Sequence, residues 1–128
     1  MACPYISKEK IVKIDSKQDW KLKRKYYCES YNVVYIIECN KERCKQRYIG
    51  KTGKFLRSRL SDHCGYVTNK ITDKATEDHF NSPGHSLSNM NIRVLEQVKI
   101  RDSEYRKERE KYFINLCDTY NKGLNRKK

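Results

Sequence analysis

The stretch 32–39, NVVYIIEC, crowds β-branched and aromatic side chains together without alternation, the pattern of a largely buried strand. A second, shorter strand is expected at 46–50, QRYIG, closed by Gly50, so the two make an antiparallel hairpin with a long charged connection. Downstream, Leu56, Leu60, Cys64 and Val67 recur at spacings of four, four and three, which predicts an amphipathic helix over 54–67. The segment 72–90 reads as loop, broken at Pro83-Gly84, with a short helix around 74–80. A third strand is expected at 91–100. A second helix then runs from an N-cap at Asp102 or Ser103 to about Asp118, ahead of Gly123-Leu124-Asn125 and a basic tail. The order β-β-α-β-α predicts an α+β fold: a small, mainly antiparallel three-stranded sheet flanked by helices. Residues 1–30 are expected to be a basic N-terminal extension on the domain edge, with strand-like pieces at 10–14 and 23–28, and 31–128 the domain proper.

At 128 residues one domain is expected, and 37% hydrophobic against 35% charged residues leaves it a modest core. The net charge of +13 points to a polyanionic partner, nucleic acid before membrane surface. No apolar run approaches the ~18 residues of a membrane span, and the first residues lack a secretory core, so an intracellular protein is expected. The six cysteines are scattered through lysine-rich sequence, which favours metal ligands and free thiols over disulfides.

Three groupings carry chemistry. On the second helix, periodicity turns Tyr105, Tyr112, Phe113, Ile114, Leu116 and Cys117 inward, and Glu110 falls in the same arc. A carboxylate there needs a cation or a metal against it, and an ion pair with Arg59 or Arg106 is the plain structural alternative. On the first helix Arg59 and His63 stand four apart and share a face, a pairing suited to phosphate binding and proton transfer. Cys39-x4-Cys44 followed by His79-x5-His85 has the ligand types and spacing of a tetrahedral zinc site, with Cys64 the substitute ligand; the alternative is two free thiols and two surface histidines. Lys51, Arg57 and Arg106 are the cations expected to meet nucleic acid.

Taken together, VVY at 33–35, YIG at 48–50 followed by KT, LRSRLSDH at 56–63, Glu110 within REKYFI and Asn125 within GLN resemble the GIY-YIG nucleases over roughly residues 32–126. More narrowly, the cysteine pair between the tyrosine motifs, with DHFNSPGHS and VLEQ, is similar to the endonuclease domain of Penelope-like retroelements. Val33 departs from the family pattern, which has glycine there. The resemblance implies a metal-dependent DNA endonuclease that nicks its target to leave a 3′ hydroxyl for reverse transcription. In such a site Glu110 holds Mg²⁺ or Mn²⁺, Arg59 meets the phosphate, and Tyr35 and Tyr48 place hydroxyls on the attacking water and a phosphate oxygen. A tyrosine base needs its pKa lowered by Lys51 or the metal, with His63 the alternative base, while Asn125 positions the site by hydrogen bonds. A structural Zn²⁺, DNA, a reverse transcriptase domain of the same polyprotein and a nuclear location complete the expectation. The rivals are another GIY-YIG nuclease of repair, homing or restriction type, and an inert zinc-bearing nucleic-acid-binding module in which the tyrosines are only core.

Overall fold

The central strand of the sheet is β3 (Tyr31–Cys39), and its neighbours come from both directions along the chain. The computed structural model describes residues 11–15, 17–22, 30–41, 44, 46–68, 79–82, 84–98 and 103–125. An N-terminal hairpin, β1 (Ile11–Lys13) and β2 (Asp19–Lys21), precedes β3, β4 (Arg47–Phe55), α1 (Leu56–Thr68), β5 (Met90–Gln97), α2 (Ser103–Cys117) and the single turn α3 (Thr119–Lys122). The main sheet has the order β4-β3-β5, antiparallel throughout. The expected three-stranded α+β fold is therefore the one adopted. No helix among the described residues is long and apolar enough to cross a membrane.

Because β3 is central it is covered on both faces, which is why its sequence shows no alternation. Val33, Tyr35, Ile37 and Cys39 pack with Leu56 and Leu60 of α1, with Phe80, and with Met90, Ile92 and Val94 of β5. Val34 and Ile36 point the other way, into a cluster with Ile49, Leu95, Phe113, Ile114 and Cys117. The N-terminal hairpin joins this second cluster through Val12, Ile14 and Leu22. Trp20 lies edge-on to Phe113 at 4.9 Å and donates from its indole to Leu95 O at 2.8 Å. Beside it, Glu38 holds both Arg47 and Arg93, and the two guanidiniums donate to backbone carbonyls of residues 11, 13 and 14.

Several expectations need correction. Gly50 does not close β4 but lies mid-strand opposite Tyr35, and the strand continues to Phe55. On α2 Tyr105 and Tyr112 are 40% and 43% exposed instead of inward, and Arg106 and Arg109 turn toward the sheet, joining Glu110, which faces inward as expected. Each of those three is met by a sheet residue, Arg106 by Asn32, Arg109 by Glu96 and Glu110 by Lys51. A periodicity argument places tyrosine inside and arginine outside; fixed counter-charges on the strands reverse that preference. Residues 79–81 are helical, but most of the expected 74–80 helix, the strand-like piece at 23–28 and the ends of the 91–100 strand and basic tail lie outside the described residues.

Candidate active site and metal centre

The β4 edge of the sheet gathers most of the singled-out polar residues. Cross-strand partners share a face, so Tyr35 with Gly50 and Ile37 with Tyr48 face α1, whereas Val34 with Lys51 faces α2. Tyr35 is fully buried, and its ring leans over Gly50. A Cβ at position 50 would lie 2.5 Å from the Tyr35 Cζ and Oη, so this position has room for glycine alone. Val33, at the site of the departure from the family pattern, meets no such constraint and is buried in the α1-side core.

Arg59 and His63, one turn apart on α1, both reach the Tyr35 hydroxyl. Arg59 Nε donates to Tyr35 Oη at 3.3 Å, and Tyr35 Oη lies 3.0 Å from His63 Nε2. Guanidinium can only donate, so Tyr35 Oη accepts from Arg59; toward His63 the direction follows the histidine tautomer, the phenol donating when the ring proton sits on Nδ1. His63 is itself buried and stands edge-on to both tyrosine rings, each at 6.1 Å. Burial, and after it Tyr48, push the Tyr35 phenol well above its ordinary pKa; Glu110 adds to this and Arg59 opposes it. Lys51, expected alongside the metal to lower a tyrosine, has its ammonium bonded to Glu110 Oε1 at 3.1 Å. Burial works against the Arg59 charge, but Tyr35, Tyr48 and Asp62 outweigh it and hold its pKa above the ordinary value.

Glu110 approaches from α2, and its side chain retains 17% exposure. Its ion-pair partner is Lys51 rather than Arg59 or Arg106. Arg106 Nη1 is spent on Asn32 Oδ1 at 2.6 Å, and Asn32, buried with φ 55°, also donates to Val98 O at 2.6 Å. Arg106 thus braces the start of β3, while Arg57 is exposed on α1. Asn125, buried after α3, closes a two-bond clamp on the strand: Ile49 N donates to its Oδ1 at 2.8 Å, and its Nδ2 donates to Ile49 O at 2.9 Å. The residue so held lies between Tyr48 and Gly50. Glu110, with Lys51 as its counter-charge, offers carboxylate oxygen of the kind that suits one hard cation completed by water.

A second centre lies at the far end of the hairpin. The ligand atoms of Cys39, Cys44, His79 and His85 all fall within 4.8 Å of one another. Ligands about 2.0–2.3 Å from one tetrahedral ion stand about 3.3–3.8 Å apart, and Cys44 Sγ lies 3.4 Å from His79 Nε2. Ser82 Oγ donates to His79 O at 2.5 Å and so receives the Nδ1 proton of His85 at 3.1 Å, which leaves the lone pair of His85 on Nε2. Burial and the neighbouring His85 lower the His79 pKa, favouring the neutral ligand form. Burial, with Cys44 beside it, pushes the Cys39 thiol up. The donor set fits zinc rather than a hard cation. Cys64 packs against the α1-side core instead of joining this group.

Pattern reasoning thus reached every residue of the two clusters, but it missed Ser82, Asn32 and the role of Lys51 as the Glu110 counter-charge. Only the short spacing of Ser82 from His79 and His85 hinted at the first. Among known protein families, the model of the GIY-YIG catalytic domain matches residues 31–125. No curated protein and no solved structure gives a significant match.

Proposed function

The chain belongs to the GIY-YIG catalytic-domain family, a family of nucleases, and from that premise we propose that it is a metal-dependent DNA endonuclease that nicks its target to leave a 3′ hydroxyl. The observation that carries this reading is the junction at the β4 edge, where Tyr35, His63 and Arg59 form one hydrogen-bonded set with the Glu110–Lys51 pair alongside. When bound at Glu110, Mg²⁺ or Mn²⁺ would supply charge neutralisation on the phosphate and acidify a water.

The chain's own groups divide the remaining work. Arg59, permanently charged and already oriented by Tyr35, meets a phosphate oxygen and stabilises the charge that grows as the phosphorus is attacked. Burial raises the Tyr35 phenol above its ordinary value, and the role proposed for it does not require ionisation. It accepts the proton of the attacking water while passing its own to His63 Nε2, so that tyrosine and histidine act as a single base. Tyr48 directs its hydroxyl to the same phosphate, and Asn125 keeps Tyr48 and Gly50 in register. At the other end of the hairpin Zn²⁺ would join the β3–β4 connection to residues 79–85, a structural role apart from the chemistry.

The biological setting proposed is a retroelement polyprotein, acting in the nucleus beside a reverse transcriptase domain that extends the nick. It is supported by the cysteine pair between the tyrosine motifs and by the paired histidines downstream. Nicking of supercoiled plasmid with Mg²⁺ or Mn²⁺ tests the chemistry. Wild type is expected to give open circles whose nicks a DNA polymerase extends, while Glu110→Ala binds DNA without cutting. A wild-type protein inert with both metals would leave only a binding module.

A further inference from the structure

Outside both centres, the junction of β3, β4 and α1 presents an aromatic pair to solvent. Tyr31 and Phe55 are cross-strand partners, 41% and 47% exposed, with ring centroids 5.9 Å apart and planes at 82°. At these exposures both rings keep surface open to solvent, to which a further ring can be added. The pair is held in place by an irregular ladder. Between Tyr31 and Val33 the register slips, Asn32 adopts a left-handed conformation, and the Asn32 side chain is fixed by Val98 and Arg106. Leu56 N donates to Ser30 O at 2.7 Å, which ties the start of α1 to the strand entering the pair.

The surroundings are cationic. Lys54 precedes Phe55 and Arg57 follows it by two residues, both exposed, and Arg59, four residues after Phe55, bonds to Tyr35. Tyr31 lies four positions before Tyr35 on β3, at most about 13 Å at the usual rise, a distance of a few nucleotides along a DNA strand. Exposed rings between phosphate-binding cations are the elements that hold unpaired nucleic acid, because any base has a face to stack. A fully paired duplex offers no base face here.

Resting on the nuclease reading above, we infer that Tyr31 and Phe55 stack an unpaired base a few nucleotides from the scissile phosphate, with Lys54 and Arg57 on the adjoining phosphates. The enzyme therefore prefers DNA that is locally unpaired beside the cut site over a continuous duplex.

The test uses the full chain without chelator and without added Mg²⁺ or Mn²⁺, so that nothing is cut and the Cys/His centre is left intact, and duplexes with or without a short bubble carrying 2-aminopurine. Wild type is expected to quench the bubble fluorophore and to bind the bubble more tightly than the plain duplex. Tyr31→Ala combined with Phe55→Ala should lose the quenching and about 5- to 100-fold of bubble affinity, leaving duplex affinity unchanged. Phe55→Trp should restore both, which separates stacking from a damaged fold. Equal binding of bubble and duplex by wild type, or an equal loss for both DNAs in the double variant, would overturn the inference. Plasmid nicking run alongside keeps the two readings apart: cutting without quenching removes the platform and leaves the nuclease, and quenching without cutting does the reverse.

Discussion

Replacing Gly50 by alanine should set the strand pair against the site it carries. The added Cβ would lie 2.5 Å from Tyr35 Cζ and Oη and 2.8 Å from Cε2, where carbon contacts settle at about 3.5–4.0 Å, so the overlap is about 1 Å. Tyr35 cannot swing clear, because it is fully buried and its hydroxyl is held by Arg59 and His63. Either β4 moves outward or the tyrosine leaves its partners. Overpacking of this kind costs about 1–3 kcal/mol, and here the displacement falls on the groups proposed to relay the proton. Urea denaturation followed by circular dichroism measures the cost, and plasmid nicking measures the consequence. Pairing the substitution with Tyr35→Val isolates the cause. Without the ring, Gly50→Ala should be neutral, or favourable by about 0.5 kcal/mol since alanine loses less backbone freedom than glycine. If Gly50→Ala costs the same with and without the ring, steric contact with Tyr35 is not why glycine stands there, and the reasoning fails.

Asn125→Ala should leave both backbone groups of Ile49 buried without partners, a loss of about 2–5 kcal/mol measured by denaturation, whereas a change below about 0.5 kcal/mol would show that water replaces the clamp. Chelation of the purified protein should release zinc near one equivalent, detected by a colorimetric dye, and lower the melting temperature; Cys39→Ser or His85→Ala should do the same, and a stoichiometry near zero would remove the zinc centre. The metal-free protein should also lose stability on acidification. His79 is lowered in the folded state, so the unfolded chain binds more protons, and stability is complete above the ordinary histidine value near 6.5 and falls as pH drops through it. Thermal melts from pH 8 to 5 check the sign, and replacement of His79 by glutamine should flatten the slope.

Much of this protein follows from its sequence. An unalternating β-branched run demands cover on both faces, and β3 receives it as the central strand. The spacing of Leu56 and Leu60 sets the inward face of α1, and with it the side on which Arg59 and His63 stand. Cys39, Cys44, His79 and His85 were identifiable because thiol and imidazole pairs at short spacing have few uses other than metal binding. Tertiary structure alone settled the rest. The facing arc of α2 turns on Asn32 and Glu96, strand residues far away in the chain whose amide and charge make half-buried arginines tolerable where tyrosines were expected, and on Lys51, which meets the expected inward Glu110. The partner of Glu110, the meeting of Tyr35 with His63 and the need for glycine at position 50 depend on which groups the tertiary fold brings together, over distances of 3.1 Å or less. Local periodicity reports which side of an element is apolar; it carries no information on which polar group waits opposite, and that pairing is what turns two tyrosines in a sheet into a site.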